Sequence, residues 1–224
     1  MTKVIVIIPA YNEEKSIEKI IKTVLQNKNI SECVVINDAS TDNTLAIAKS
    51  TGATVITNGE NVGTGLSTKI GLKYANDRKA DFVVLMDADG QHNPLSIQNL
   101  LDHVETADVV IGSRYFAPTS SSTSYIRKLG TKIISISLFI QYGTRIFDPT
   151  SGFRVFNKRT IQEMAANYPI IFSEPEVIID LLLKKRSIRE VSIEMSPRLY
   201  GKSSINLMKA LNLMVYILLK IAFQ

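Results

Sequence analysis

Short runs of β-branched apolar residues alternate, along the first half of the chain, with segments whose apolar positions recur every three or four residues. Val4 to Ile8 is an unbroken apolar run and predicts a buried strand. Ile17, Ile20, Ile21, Val24 and Leu25 then fall on one face of a helix. Cys33–Ile36 predicts a second strand, and Thr44–Ser50 a second helix opened by Asp42-Asn43-Thr44. Further strands are expected at Ala53–Ile56, Phe82–Met86 and Val109–Ile111, with helices over about 64–76 and 95–106. This alternation predicts an α/β fold, a mostly parallel sheet with helices on both faces and ligands at the carboxyl ends of its strands.

The second half reads differently. Pro118 to Ser124 is a polar loop, Ile133–Ile140 an apolar helical segment, Asp148-Pro149-Thr150-Ser151-Gly152 a turn, and Phe153–Phe156 an aromatic strand. Residues 203–224 are the most hydrophobic stretch, crossed by a narrow polar stripe through Asn206, Lys209, Asn212, Tyr216 and Lys220. A membrane span needs about 20 consecutive apolar residues, and Lys209, Asn212 and Lys220 interrupt this one. The expectation is an amphipathic helix in the membrane interface, with its lysines at headgroup level. A helix packed on the sheet, an oligomer interface, or a continuation into membrane helices are the alternatives. The expected organisation is therefore residues 1–202 as one domain, in halves 1–113 and 114–202, followed by the helix of 203–224.

Composition narrows the function classes. A chain of 224 residues suits one large domain with an appendage. Lys and Arg total 26 against 21 Asp and Glu, a net charge of +5 that suits phosphate-bearing ligands or an anionic membrane surface. No basic-aromatic cluster points to nucleic acid. Cys33 is the only cysteine, which excludes an intrachain disulfide and a Cys-based zinc site and fits a reducing, cytoplasmic setting. The apolar run before Pro9 is too short for a signal peptide.

Chemistry gathers at the strand ends. The first strand runs into Pro9-Ala10-Tyr11-Asn12-Glu13-Glu14, the second into Asn37-Asp38-Ala39-Ser40-Thr41-Asp42, the fourth into Asp87-Ala88-Asp89-Gly90-Gln91-His92. A dinucleotide-binding turn would carry glycines after the first strand, and a nucleotidylyltransferase a glycine-rich basic loop; this one is acidic. Alternation puts Asp87, Asp89 and Gln91 on one side, three hard oxygen donors suited to magnesium or manganese. Turn formation and helix capping account for Asp42 and Asn93. His92 and His103 are expected as a turn residue and a solvated helix residue.

These motifs, with Asn61-Val62-Gly63-Thr64-Gly65, occur in the order found in family 2 glycosyltransferases, and the chain resembles that family over nearly its whole length. Gly112-Ser113-Arg114-Tyr115, Asp148–Phe153 and Arg198–Ser204 are similar to the polyprenyl-phosphate sugar synthases of the dolichol-phosphate mannose synthase type. The resemblance implies a GT-A fold and transfer of a hexose or N-acetylhexosamine from a UDP- or GDP-linked nucleotide sugar to a polyprenyl phosphate, dolichyl or undecaprenyl. It places the 1–113 half on the nucleotide sugar and the 114–202 half on the acceptor, at the cytoplasmic membrane face, with a homo-oligomer or a small membrane protein as further partners. Pro9, Tyr11, Glu13 and Asp38 would hold the nucleoside, and Asp87, Asp89 and Gln91 the cation across the diphosphate, with Asp89 central. Arg114, Arg127, Arg198 and Lys202 would meet the diphosphate or the acceptor phosphate, and Thr131, one turn after Arg127, the acceptor phosphate. Asp89, Arg114 and Arg198 are thus the expected catalytic residues and Lys202 a donor contact.

The acceptor decides whether a base is needed. A phosphate monoester, with a second pKa near ~6, is already a nucleophile at neutral pH. A sugar hydroxyl of a glycolipid or polysaccharide would need help from a general base. Glu174 and Glu176 are candidates for that role, but Pro175 beside them equally reads as the first turn of a helix. Asp148 is a further group that could approach the sugar.

Overall fold

A computed structural model describes residues 2–116, 125–171, 173–196 and 207–223; the side chains of residues 125–127, 173, 207–211 and 213 lie outside that description. Seven strands form one sheet: β1 (Val4–Ala10), β2 (Glu32–Asn37), β3 (Thr54–Thr57), β4 (Phe82–Leu85), β5 (Val109–Ser113), β6 (Arg154–Asn157) and β7 (Ile188–Ser192). Their spatial order is β3-β2-β1-β4-β6-β5-β7. Only β6 runs against its neighbours, pairing Arg154 with both Leu85 and Ile111; the other pairings are parallel. The sheet is therefore mixed but mostly parallel, as expected.

Helices α1 (Ile17–Leu25), α2 (Thr44–Ser50), α3 (Thr64–Asp77), α4 (Ile97–Leu101), α5 (Tyr125–Tyr142), α6 (Lys158–Asn167), α7 (Ser173–Leu183) and α8 (Leu207–Ala222) cover it. Two apolar cores follow from strand alternation. Ile5 and Ile7 of β1 face the core with residues of α3, α5, α6, α7 and α8, whereas Val4, Val6 and Ile8 face the one with α1 and α4. Burial on both sides explains why β1 is a continuous apolar run. The expected helix over 95–106 is instead a 3-10 turn at Pro94–Ser96, α4, and a second 3-10 turn at Val104–Thr106. The tighter second turn tucks Val104 into the core that holds Ile97 and Leu100. Cys33 is buried in β2, and burial pushes its thiol up to about 12, so it is a core residue and not a reactive one.

The topology decides where chemistry collects. The chain winds from β1 outward to β3, then returns to the other side of β1 with β4, a topological switch point. The carboxyl ends of β1, β2, β4 and β5 lie on one edge of the sheet, and antiparallel β6 begins there. The loops after Ala10, Asn37, Leu85 and Ser113, and the Asp148–Gly152 turn before β6, thus share one rim.

Candidate active site

Side-chain hydrogen bonds tie the first two loops together. Asn12 accepts from the Thr41 N–H at 2.8 Å, and the Glu13 N–H donates to Thr44 Oγ1 at 2.7 Å. Asp42 accepts from the N–H groups of Glu14 and Thr44. Burial by itself would raise the Asp42 carboxyl; the Thr44 and backbone hydrogen bonds outweigh it and hold the group below its usual range. Ser16 Oγ reaches both the Glu13 carboxylate, at 3.1 Å, and the Ala88 carbonyl, at 2.6 Å. Glu13 is thereby brought beside the Asp87–Asp89 segment. Tyr11 is 45% exposed on the rim, and Pro9 is half-buried in β1.

Asp38 has a different setting from the one expected for a group facing a nucleoside. It is 3% exposed, and its Oδ1 accepts from the Val62 N–H (2.9 Å) and Asn58 Nδ2 (2.8 Å) while Oδ2 accepts from the Gly63 N–H (2.8 Å). Gly63 caps α3 with φ +86°, a conformation that favours glycine. Two residues on, Gly65 permits close packing: a Cβ there would stand 2.5 Å from the Ile170 carbonyl oxygen.

Asp87 lies two residues beyond the end of β4, and its side chain is 43% exposed. His92, 3% exposed and stacked on Phe153, accepts the Asp87 N–H through Nδ1 at 3.1 Å. The buried ring thereby ties the start of the Asp87–His92 loop to its end and holds the loop's shape. Asp89 accepts the Gln91 N–H at 3.0 Å, and Gly90 between them has φ +77°. The Gln91 carbonyl accepts the Ser196 N–H at 3.0 Å. Among the described residues no three His, Cys, Asp or Glu side chains gather as a metal cluster. The expected set of two carboxylates and an amide is not of that kind.

The acceptor side is built around the Asp148–Gly152 turn. Asp148 is fully buried and accepts from Arg114 three times: the backbone N–H (3.0 Å), Nε (2.6 Å) and Nη2 (2.6 Å). Burial would lower the Arg114 guanidinium; its hydrogen bonds and charge attraction to Asp148 win, and the group is held above its usual value. Arg114 Nη2 also donates to Thr150 Oγ1 at 2.8 Å, and Thr150 Oγ1 lies 3.4 Å from Thr131 Oγ1. Arg114 and Thr131 are thus brought together, through Thr150. The side chain of Arg127, on α5, and residues Arg198 and Lys202 lie outside the described residues.

The two sides touch at Gly152. A Cβ there would stand 3.2 Å from both oxygens of Asp87. Sequence reading missed the members of the acceptor side that are not motif residues in isolation. Asp148, a group that by its turn could approach the sugar, is closed in by Arg114. Glu190 and Arg154 carried no local signal. Arg154 is 1% exposed and donates through Nη2 to the Pro149 and Glu174 carbonyls, while its Nε and Nη1 have no hydrogen-bond partner among the described residues. Glu176, a candidate base, accepts from Lys220 Nζ at 2.8 Å and Tyr216 Oη at 3.2 Å. His103 Nδ1 lies 2.8 Å from the Asn99 carbonyl oxygen. A cavity of about 490 Å³ runs along β7, past His103, Arg145, Phe147 and Arg189, and holds none of the expected site residues.

A mostly parallel α/β sheet with acidic loops at its switch point, and the Arg114–Asp148 pair beside them, places its polar loops where open α/β folds receive ligands. The profile described as "Glycosyl transferase family 2" matches residues 5–164, and the chain belongs to that family; it is a glycosyltransferase. It is 32% identical over 179 residues to the UDP-N-acetylglucosamine–dolichyl-phosphate N-acetylglucosaminyltransferase of Methanococcus voltae, covering 71% of each chain. Over 216 residues it is 32% identical to the dolichol-phosphate mannosyltransferase of Pyrococcus furiosus, covering 91% of this chain and 59% of that one. Among solved structures, glucosyl-3-phosphoglycerate synthase of Mycobacterium tuberculosis, in complex with Mn2+, UDP and glucosyl-3-phosphoglycerate, shares the fold. Its TM-score is 0.74 at 19% identity, over 98% of this chain and 80% of that one.

Proposed function

We propose that this protein transfers a hexose or N-acetylhexosamine from a nucleotide diphosphate sugar to a polyprenyl phosphate at the cytoplasmic face of a membrane. The observation that carries the reading is the junction at Gly152, where Asp87 of the acidic loop meets the turn that aims Arg114. A donor bound along the acidic loops and a phosphate bound at Arg114, Thr150 and Thr131 would be neighbours. The relatives in Methanococcus voltae and Pyrococcus furiosus carry names of dolichyl-phosphate enzymes, which favours the same acceptor class here.

The chemistry asks little of the chain beyond placement. An ionised phosphate oxygen attacks carbon one of the sugar from the face opposite the leaving group, inverting it. The bond to the nucleoside diphosphate breaks with its electron pair going to the diphosphate. No proton has to be removed from a phosphate monoester at neutral pH. The guanidinium of Arg114, fixed by Asp148, presents a planar donor set suited to phosphate oxygens. We assign Glu13 and Tyr11, on the rim after β1, to the nucleoside, with Asp38 supporting that region through Val62 and Gly63.

The exposed Asp87 carboxylate, with Asp89 and Gln91, is a hard oxygen donor set that fits magnesium or manganese. When bound, such an ion would neutralise charge on the diphosphate. The rival acceptor, a sugar hydroxyl, needs a base, and Glu176 is committed to Lys220 and Tyr216. We assign residues 1–202 to the transferase domain, its 1–113 half facing the donor and its 114–202 half the acceptor. Residues 203–224 are assigned to the membrane-surface helix; none of the described helices is long and apolar enough to cross a membrane.

The test is incubation with labelled UDP- and GDP-sugars, manganese and a polyprenyl phosphate, followed by organic extraction. Label is expected in the organic phase with wild-type protein and not with Asp89→Ala. Unchanged turnover of Asp89→Ala at saturating donor and metal sinks the metal assignment.

A further inference from the structure

Glu190 lies on β7, at the edge of the sheet and opposite Ile111 of β5, and is 8% exposed. Its carboxylate reaches the chain just before the Asp148–Gly152 turn: Oε2 accepts the Phe147 N–H at 2.7 Å and Oε1 the Asp148 N–H at 2.8 Å. The residue whose N–H is held is the one whose carboxylate holds Arg114. From Arg114 the chain of contacts continues to Thr150 and Thr131.

We propose that Glu190 is a positioning residue for the acceptor phosphate, acting through the backbone of Phe147 and Asp148 on the Arg114–Thr150–Thr131 cradle. This rests on the polyprenyl-phosphate reading given above. Two buried carboxylates in succession are a costly way to fix a loop. Burial, and the nearby charge of Asp148, both push the Glu190 carboxyl up, against the pull of its hydrogen bonds. A carboxylate offers two acceptor oxygens in one plane and so fixes two successive N–H groups at once. That fixes where the Asp148 side chain starts, and therefore the plane of the guanidinium. An arginine held in its binding geometry before the ligand arrives spares the ligand the ordering cost. The partners of the Glu190 carboxylate are the Phe147 and Asp148 N–H groups and Ser113, the residue just before Arg114, so the effect is directed at the Arg114 cradle.

The isosteric Glu190→Gln variant separates this role from a general structural one. Its amide can accept only one of the two N–H groups and turns an NH2 toward the other. The expected result is a KM for polyprenyl phosphate raised about tenfold or more, with UDP affinity and the slow hydrolysis of nucleotide sugar without lipid unchanged. Glu190→Asp keeps the charge and both oxygens on a shorter arm, and should show the same split to a smaller degree. Should the glutamine variant fail to fold, the aspartate variant carries the test. An unchanged acceptor KM, or donor affinity falling in parallel with it, overturns the proposal. Wild-type protein that yields no lipid-extractable product overturns the lipid-phosphate reading itself, a failure seen before either variant is made.

Discussion

Arg114 and Asp148, 34 residues apart in the chain, meet in a two-point ion pair in which Nε and Nη2 each donate to a separate carboxylate oxygen at 2.6 Å. The pair is largely withdrawn from water, with side-chain exposures of 11% and 0%. The arginine therefore cannot swing to follow a ligand; its direction is set by the turn that carries Asp148. A cation that must meet a phosphate in one geometry gains from being held there.

Asp148→Asn should expose how much depends on this. It replaces one acceptor oxygen by an NH2 group facing a guanidinium N–H and leaves a buried cation without its counter-charge. Removing one partner of a buried pair costs about 3–5 kcal/mol. Denaturant unfolding should show a loss in that range, and transfer to polyprenyl phosphate should fall by roughly two orders of magnitude. A variant of unchanged stability would mean that the pair is solvated in solution.

Asp38→Ala addresses the donor side. Three N–H donors lose their acceptor, two of them on the backbone of Val62 and Gly63 at the start of α3. With unsatisfied groups costing about 1–3 kcal/mol each and water replacing part of the loss, a net destabilisation of about 2–4 kcal/mol is expected. UDP affinity should fall as well, because the loop beside the nucleoside region loosens. Full stability with weakened UDP binding would instead make Asp38 a direct contact only.

The fold was legible wherever a segment's pattern answered to its own surroundings. The Ile17–Val24 face of α1 and the apolar run of β1 have the periodicities of the cores they enter. β7 was not legible, because Ile188-Arg189-Glu190-Val191-Ser192 points a carboxylate inward where alternation calls for an apolar residue. That same inward Glu190 is what reaches Phe147 and Asp148. At the site, Asp87 and Asp89 could be picked out by type and position at a strand end, and Arg114 only through the family resemblance of Gly112–Tyr115. Their partners could not: Asp148 closing on Arg114, and Gly152 making room for Asp87, are pairings across the sheet edge that no local spacing encodes.

Gly152→Ala tests the junction between the two sides. The added methyl would lie 3.2 Å from each oxygen of Asp87, tighter than ordinary contact, so the carboxylate must give by a few tenths of an ångström. Asp87 is partly exposed and has room to move, so unfolding stability should change by less than about 1 kcal/mol. The cost should fall on the cation. The manganese concentration for half-maximal transfer should rise severalfold, with UDP-independent properties preserved. An unaltered metal requirement would place the cation away from Asp87.

Lys220 governs how α8 is held. Its ammonium donates to Glu176 at 2.8 Å and lies 3.4 Å from Asp180, both on α7, while Ile217 and Ile221 enter the core. This lysine is therefore turned inward onto α7 and not outward toward headgroups, whereas Val215, Leu219 and Phe223 remain exposed. Burial would lower the Lys220 ammonium; the Glu176 hydrogen bond and the charges of Asp180 and Glu176 outweigh it and hold the group above its usual value. A raised value in the folded state means that the pair's contribution is complete below the ordinary lysine pKa, about 10.4. It is lost as pH climbs through the raised one. Tyr216 and Tyr142 border the same cluster and are also held above the usual phenol range, chiefly by burial, so the alkaline transition involves three groups. Lys220→Met keeps the aliphatic arm and removes the charge that faces the buried Glu176 carboxylate. Backbone amides of α8 should then exchange with deuterium roughly fivefold faster or more at neutral pH. In the wild type the same loosening should appear only above the ordinary lysine pKa, and the variant should show a weaker alkaline step. Identical exchange in the two proteins at neutral pH would mean that Ile217 and Ile221 hold the helix without help from the ion pair.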